Sequence, residues 1–338
     1  MGNSTMKRKL SIKHAILTAM LALGALLAIT RAAQAEPVRV GYWTSGVSLG
    51  FGAVLEAQQF LQKQGLDVQF VRFSDVNAPT RALAANAIDF AFAAPAAGVF
   101  STAAEGVPVS IVLATQPADV EFVAPLDSPI KTLADLRGKK IGMSPAGSSV
   151  AAIASAVLQG NEGIKDGDFA LVPGNETRLA QFLVQKQVDA AALRSITVDQ
   201  LTELKVKNLG NFVSEWQKLT KSNAVPYIGV SAVRNDYLQK HPQDVAKLIA
   251  GLRAALQWGS AHHDEVAAIM EKSANLPAAD AQAYAAHWDQ TYRVTFEPID
   301  LETLRREHQI FVDGGVIKGD LPSTLFATGP YQASKALH

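Results

Sequence analysis

The sequence predicts an α/β protein with two lobes, and three observations support this fold class. Strand-like apolar runs alternate with helix-like segments after residue 36, which favours mostly parallel sheets. The strand pattern is interrupted at residues 121–129 and again at 223–229, as expected where a chain crosses to a second lobe and returns. A weak internal repeat is the third observation. We expect two hinge crossings between the lobes and these lobe limits: residues 36–124 with 225–338 for lobe one, and 125–224 for lobe two.

Local patterns place the individual elements. Apolar runs bounded by turn-forming residues predict strands at residues 38–42, 68–73, 88–93, 140–143 and 188–193. Pro95 closes the third strand, because proline lacks the N–H that a sheet ladder uses. Apolar residues at helical spacing predict helices at residues 53–64, 81–87, 132–136, 150–158, 244–262, 277–290 and 301–314. The first helix is expected to end at Gly65, since glycine readily adopts the conformation of a C-terminal cap.

The internal repeat lies in the segments DVQFVRFSDVNAPTRALAANAIDFAFAAP and DFALVPGNETRLAQFLVQKQVDAAALRS. Both read as a strand, a helix that starts with Thr-Arg, and a strand of the pattern apolar-Asp-apolar. Arg81 corresponds to Arg178, and Asp89 corresponds to Asp189. Two related lobes produce such a repeat, and convergent strand-helix patterning is the alternative.

The first 35 residues have the pattern of a secretory signal peptide. A basic start precedes an apolar run at residues 15–29, and the small residues of the sequence AQA follow it. We expect cleavage between Ala35 and Glu36, which places the mature chain in the periplasm. The apolar run is shorter than the about 20 residues that span a bilayer, and an uncleaved membrane anchor is the alternative.

Composition excludes several functional classes. The chain contains no cysteine, which rules out disulfides, thiolate catalysis, cysteine-based zinc sites and a lipidated anchor. It has 31 basic and 31 acidic residues, and because the leader is basic the mature protein is acidic. An acidic protein is a poor match for nucleic acid, which needs clustered basic residues. We expect a freely diffusing monomer without a cofactor.

Motifs of catalysis are absent from the sequence. It contains no HExxH pair, Walker-type loop, GxGxxG fingerprint or GxSxG elbow. His262, His263 and Asp264 are adjacent at the end of a predicted helix, so they cannot all face one metal ion. The sequence therefore predicts a protein that binds rather than catalyses, with no metal site.

The ends of the predicted strands hold the candidate binding residues, because ligands of open α/β sheets bind beyond the carboxyl ends of the strands. After the first strand, Trp43 offers a flat aromatic face, and Thr44 and Ser45 offer hydroxyl donors. After the third strand, the small residues around Ala94 and Pro95 let backbone amides approach a ligand.

Two further strand ends carry groups suited to a negative charge. Gly147, Ser148 and Ser149 begin a helix, where N–H donors and the helix dipole favour an anion. The two serines also suit a plain N-terminal capping role, and both roles can hold together. Arg194 and Ser195 follow the strand at residues 188–193, and a guanidinium there suits a carboxylate or a sulfonate.

The alternative for Arg194 is a solvated or lobe-bridging role. Tyr227, in the second crossing, either closes over the ligand or packs in the hinge.

Several stretches of the chain resemble one protein family: VRVGYW, RALAANAIDFAFAAPAAGVFSTAAEGVPV, APLDSPIKTLADLRGKKIGMSPAGSSVA, QFLVQKQVDAAAL and VRNDYLQKHPQDVAKLIAGLRAAL. They resemble the substrate-binding components of sulfonate, taurine and nitrate ABC importers, a group that also includes binders of thiamine-pyrimidine precursors. The segment SPIKTLADLRGKKIG is the most specific, because a short helix and a Gly-Lys-Lys turn commonly enter the second lobe in this family.

The resemblance implies a type II-like periplasmic binding protein fold with its ligand in the cleft. Ligand contacts carried over by position are Trp43, Thr44, Ser45, Gly46, Ala94, Pro95, Ser148, Ser149, Arg194 and Ser195. Many sulfonate binders have a Trp-Asp-Pro-like exit where this chain has Arg194-Ser195-Ile196. The added cation favours a carboxylate nearly as much as a sulfonate, and stacking on Trp43 suits an aromatic ligand.

The expected function is therefore the capture of a small organic anion and its delivery to an ABC transporter permease. Three alternatives stay open: a binder of a neutral vitamin precursor, a periplasmic sensor that presents its ligand to a receptor kinase, and an enzyme similar to the fungal thiamine-pyrimidine synthases. The last depends on cysteine- and histidine-bearing chemistry, which a cysteine-free exported chain does not supply.

Overall fold

The computed structural model describes residues 36–44, 48–201 and 204–337, so the expected leader and the expected site residues Ser45 and Gly46 lie outside the described residues. The strands are β1 (Val38–Trp43), β2 (Val68–Phe73), β3 (Phe90–Pro95), β4 (Val109–Pro117), β5 (Val120–Pro125), β6 (Lys140–Met143), β7 (Ala170–Pro173), β8 (Ala190–Arg194), β9 (Val206–Asn211) and β10 (Tyr227–Arg234). The helices are α1 (Ser48–Ala57), α2 (Phe60–Lys63), α3 (Ala78–Ala84), α4 (Ala96–Ala104), α5 (Ser149–Glu162), α6 (Glu176–Val184), α7 (Ser195–Asp199), α8 (Phe212–Thr220), α9 (Asn235–Lys240), α10 (Pro242–Ala261), α11 (His263–Ala274), α12 (Ala278–Ala286), α13 (Trp288–Thr291), α14 (Pro298–Asp313) and α15 (Gly329–Ser334).

The strands form two five-stranded mixed sheets that share one strand order. Sheet one runs β2-β1-β3-β10-β4, and sheet two runs β7-β6-β8-β5-β9. In each sheet the first three strands are parallel, and the fourth is antiparallel to both of its neighbours. The predicted α/β fold with two lobes is confirmed.

The internal repeat of the sequence occupies equivalent places in the two sheets. Immediately before β3, the carboxylate of Asp89 accepts a hydrogen bond of 3.0 Å from the backbone N–H of Arg39. Immediately before β8, the carboxylate of Asp189 accepts one of 2.7 Å from the backbone N–H of Lys140. In both sheets the residue after the aspartate pairs with the residue after the donor, so the register is also the same.

The chain passes between the sheets twice. β4 ends at Pro117 in sheet one, and β5 begins at Val120 in sheet two. This first passage precedes residues 121–129, where the sequence placed it, because β5 pairs with β8 and β9. The expected limit of lobe one after residue 124 therefore cuts through a strand of sheet two. The return passage lies between β9 and β10 and includes α8, which packs against β5 and β9.

Most predicted elements form within a few residues of their expected ends, and two predicted helices are divided. The helix expected at residues 53–64 is interrupted at Gln59, whose φ of 54° is left-handed and separates α1 from α2. The helix expected at residues 277–290 is divided at His287 between α12 and α13. β4, β9, α7 and α8 were not predicted.

The core of sheet one is mainly apolar, with a few buried polar side chains on β4 and β10. β3 is buried along its whole length, and so is β4 up to Pro117, since both lie inside the sheet or under helices. Phe51 of α1 stacks between Phe92 of β3 and Trp288 of α13, with ring centroids 4.7 and 5.2 Å away. These contacts hold the C-terminal helices against sheet one. Within the described ranges, no helix combines the length and the apolar character that crossing a membrane requires.

Candidate ligand-binding cleft

The strand ends of the two sheets face each other across a cleft. Trp43 ends β1 and Pro95 ends β3 in sheet one, while Arg194 ends β8 in sheet two. An enclosed pocket lies between them, and its lining also includes Ser148 and Ser149 at the start of α5. Its volume of about 10 Å³ is close to the room that one water needs. Five of the expected site residues thus meet at one place.

The lobes are in contact around this pocket. The backbone N–H of Ala97, at the start of α4, donates a hydrogen bond of 3.0 Å to Oγ of Ser149. The side-chain amide of Asn77 donates one of 3.3 Å to the carbonyl of Ala146. The cleft is therefore closed at its inner end, and a ligand that reaches the pocket requires the lobes to separate.

Arg194 is buried and already has an anionic partner. Its Nη1 lies 2.7 Å from Oε1 of Glu176, and its backbone N–H donates to the other oxygen of that carboxylate at 3.2 Å. Both side chains are largely removed from water, with exposures of 7% and 12%. The Nε of Arg194 is also buried and has no hydrogen-bond partner among the described residues. The guanidinium is thus neutralised by the protein, and its Nε–H is a buried donor without a partner in the described structure.

Trp43 forms a wall of the pocket from the sheet-one side. Its indole N–H donates to the carbonyl of Ser74 at 3.2 Å, which fixes the ring plane. The Cζ of Arg194 lies 5.6 Å from the ring centroid, within the range of a cation–π contact. This contact joins the two lobes, so the ring holds the arginine and is not open for stacking in the closed cleft.

A larger groove opens outside the enclosed pocket, with a volume of about 760 Å³. Sheet-one helices contribute one wall and α6 with α7 contribute the other. The lining residues are Thr44, Leu49, Asn175, Glu176, Thr177, Ala180, Gln181, Val184, Gln185, Thr197, Gln200, Leu201, Leu276, Asp280 and Tyr284. Among these described residues there is no lysine, arginine or histidine. Burial raises the pKa of Tyr284 to about 12, so its hydroxyl keeps its proton at neutral pH.

The helix start at Gly147, Ser148 and Ser149 uses its hydroxyls within the protein. Gly147 has a φ of +83°, a conformation that favours glycine. Oγ of Ser148 accepts from the backbone N–H of Ala151 at 3.2 Å, which is an N-terminal cap. Oγ of Ser149 accepts from the other lobe, as described above. The capping role of Ser148 and a lobe-bridging role for Ser149 are what the closed structure shows.

The end of β3 combines small residues with backbone strain. Ala94 is fully buried and pairs with Val230 of β10, whereas Pro95 lines the pocket. Ala93 has a φ of 51°, which is costly for a residue with a Cβ, and the register of β10 shifts opposite it. This strained residue lies within β3, two residues before Pro95.

Three expected site residues have other partners. The Thr44 hydroxyl donates to the carbonyl of Phe73 at 3.0 Å, although this residue lines the groove. The Ser195 hydroxyl donates to Asp119 at 2.6 Å, at the first passage between the sheets. The Tyr227 hydroxyl donates to Asp300 at 2.6 Å, on the side of α14. Ser195 and Tyr227 line neither the enclosed pocket nor the groove, since their hydroxyls are directed into the passages.

The second passage also contains a buried acid, Glu307 of α14. One carboxylate oxygen accepts from the backbone N–H of Tyr227 at 2.6 Å, and the other is buried without a partner in the described structure. Burial raises the pKa of Glu307 well above its usual value, and the bond from Tyr227 opposes this in part. The folded protein therefore favours the protonated carboxyl.

The wild type is expected to lose stability as pH rises, because Glu307 ionises more easily in the unfolded state. We expect Glu307→Gln to abolish this dependence on pH. Below the unfolded pKa the carboxyl is protonated in both states, but between the unfolded and the folded pKa the wild type loses up to about 1.4 kcal/mol for each pH unit. Urea unfolding from about pH 5 to pH 8 measures the difference between variant and wild type. Glu302→Gln, at an exposed site of the same helix, is the control. Parallel curves for wild type and Glu307→Gln would contradict the prediction.

Two carboxylates of the groove, Glu176 and Asp280, were missed by sequence reasoning. Glu176 had a signal, because it is an acidic residue in the first turn of a helix that follows a strand end. In the internal repeat it occupies the position of Pro79. Asp280 had no signal, since only the tertiary fold brings α12 beside α7.

Comparison with known proteins gives the family. The sequence profile described as NMT1/THI5 like matches residues 53–266. A protein of Brucella abortus that carries the name of a binding protein is 24% identical over 252 residues, which cover 74% of this chain and 75% of that protein. The fold is that of two-lobe periplasmic binding proteins, and the chain belongs to the NMT1/THI5-like family.

Solved structures with this fold include proteins of different activity. The periplasmic aliphatic sulphonate binding protein SsuA of Escherichia coli is 19% identical, with 87% of this chain and 92% of that chain covered and a TM-score of 0.70. The alkanesulfonate-binding protein SsuA of Xanthomonas axonopodis pv. citri, bound to MOPS, is also 19% identical, with 89% and 99% covered and a TM-score of 0.70. The desulfurization enzyme DSZB is 14% identical, with 89% and 100% covered and a TM-score of 0.60. The shared fold alone therefore does not separate binding from catalysis.

Proposed function

We propose that this protein is the periplasmic solute-binding component of an ABC-type importer. The observation that carries the proposal is the groove of about 760 Å³ whose two walls belong to two similar lobes. A cleft whose walls belong to two lobes lets one ligand contact both of them, and this favours the closed arrangement. The names of the Brucella and SsuA proteins support a binding role, and the leader-like N-terminal sequence supports export.

We propose that the groove binds its ligand without chemistry. Its described lining consists of neutral amides, hydroxyls, apolar side chains and two carboxylates, without a histidine or lysine to act as a base near neutral pH. The enzyme alternative draws its support from DSZB, which shares the fold. We propose that the ligand leaves the protein unchanged, with an ABC permease as the partner and a monomer as the working form.

The ligand class predicted from the sequence was a small organic anion, either a sulfonate or a carboxylate. The buried Nε of Arg194, free of a protein partner, supports a hydrogen-bond acceptor on the ligand. Glu176 changes the expected strength of this contact, because it already neutralises the guanidinium. We therefore propose that a hydrogen-bond acceptor of the ligand, such as an acidic group, contacts Arg194 when the lobes separate. Because Glu176 neutralises the guanidinium, Arg194 alone does not determine the net charge of the ligand.

A thermal-shift screen tests the proposed function. Sulfonates, mono- and dicarboxylates, nitrate, amines and neutral vitamin precursors are each added to the purified protein, since a ligand that binds the folded state raises its Tm. At least one class is expected to raise Tm, and mass spectrometry is expected to recover that compound unchanged. Recovery of an altered compound would establish an enzyme. An absence of any shift across the screen would reject the solute-binding proposal.

A further inference from the structure

A side-chain hydrogen bond joins the two lobes at the end of α12. Nε2 of His287 lies 2.8 Å from a carboxylate oxygen of Asp199. Because an ionised carboxylate only accepts hydrogen bonds, Nε2 carries the proton and donates. His287 lies between α12 and α13, among the C-terminal helices of lobe one, whereas Asp199 ends α7, which follows β8 of sheet two. The bond therefore spans the two lobes.

This bond lies beside the groove of about 760 Å³. Asp280 and Tyr284 line the groove at a spacing of four residues, which places them on one face of α12. His287 follows Tyr284 by three residues, so it continues the same face at the end of the helix. On the opposite wall, Thr197 of α7 lines the groove two residues before Asp199. Separation of the two groove walls therefore breaks the bond.

Neither side chain has another hydrogen bond or ion pair among the described residues. The second ring nitrogen of His287, Nδ1, is buried without a partner, so the bond to the other lobe is the polar contact that orients the ring. The side chain of His287 is 17% exposed, and that of Asp199 is 62% exposed. A hydrogen bond to a carboxylate that water reaches this freely is weak enough to break and re-form.

We propose that His287 and Asp199 form a latch that holds the lobes of the free protein closed and that opens to admit a ligand. The closed and open arrangements are two states of one protein, and a contact made in only one of them shifts their populations. The latch is such a contact, since its two groups belong to different lobes. This inference concerns the protein without ligand, so it goes beyond the proposed solute-binding function and does not require it.

Spin labels on the two lobes test the latch in the free protein. The chain contains no cysteine, so Gln187→Cys in lobe two and Gln282→Cys in lobe one provide two unique labelling sites. Both positions are exposed and line neither the groove nor the enclosed pocket. Double electron–electron resonance then measures the distance between the labels, and hence the fractions of closed and open molecules. A closed population is expected in this labelled protein.

Two variants connect the closed population to the named residues. Asp199→Ala and His287→Ala are each expected to lower the ratio of closed to open molecules about 5-fold, the effect of one partly exposed contact. The double variant is expected to open no further than either single variant, because both changes remove the same bond. Asp264→Ala removes an exposed acid without an ion pair among the described residues, and the ratio is expected to stay as in the labelled protein.

The ratio of closed to open molecules separates a latch from a merely structural contact, because a structural contact changes Tm without moving the labels. Asp199→Ala decides the question even if His287→Ala does not fold, since Asp199 is largely exposed. An unchanged ratio in Asp199→Ala overturns the proposal, and so does a labelled protein without a closed population. Either result leaves the solute-binding proposal standing, because the thermal-shift screen tests that proposal separately.

Discussion

Replacing Arg194 with methionine is expected to lower the free energy of unfolding by about 3 kcal/mol or more, a large effect for a residue next to a ligand cleft. The loss arises because the carboxylate of Glu176, only 12% exposed, keeps its burial but loses its counter-charge. Urea unfolding of wild type and variant measures the difference.

The double variant Arg194→Met with Glu176→Leu is the matched control. Removal of both charges leaves no unpaired ion, so most of the lost stability is expected to return. Neither the single nor the double variant is expected to bind the ligand of the wild type, because both lack the Arg194–Glu176 pair. A single variant as stable as the wild type would show that the pair contributes nothing to stability.

Replacing Trp43 with alanine is expected to cost about 3 to 5 kcal/mol, the second large effect. The side chain is buried, and its removal leaves a cavity beside Arg194 and an unused acceptor at the carbonyl of Ser74. Trp43→Phe keeps an aromatic face for the arginine, and a loss of about 1 to 2 kcal/mol is expected for it.

Trp258→Ala provides a control of the same size at a half-buried position, where a smaller loss is expected. Thermal or urea unfolding compares the three variants, and calorimetry with any ligand from the screen compares their affinities. If Trp43→Ala unfolded no more easily than Trp258→Ala, the aromatic wall would not be part of the lobe contact.

Local sequence patterns predicted the helices and strands whose signal lies within a short stretch of the chain. The strands at residues 68–73 and 140–143 were predicted with their observed limits, because short apolar runs between turn-forming residues are a local signal. The first passage between the sheets was misplaced, since β5 continues the apolar character of β4 and only its antiparallel pairing with β8 assigns it to sheet two. β9 was missed because its residues are half-buried or exposed and show no apolar run.

The position of the candidate site residues follows from the sequence more readily than their partners do. Sequence position predicts which residues follow a strand, and Trp43, Pro95 and Arg194 lie together where their strands end. Sequence position does not predict which side chains form hydrogen bonds or ion pairs with one another in the cleft. The partner of Arg194 depends on how α6 lies against β8, and the direction of the Tyr227 hydroxyl depends on α14, which follows it by about seventy residues.

The position of β10 has a consequence for the order in which the chain acquires its structure. This strand lies between β3 and β4, so sheet one keeps a gap until residues 227–234 have been synthesised. Sheet two uses only residues 120–211 and can assemble from a continuous segment. Closing the gap requires contacts between distant parts of the chain, which form slowly. Residues 38–117 therefore lack a complete sheet, and stay incompletely folded, until this strand has been synthesised.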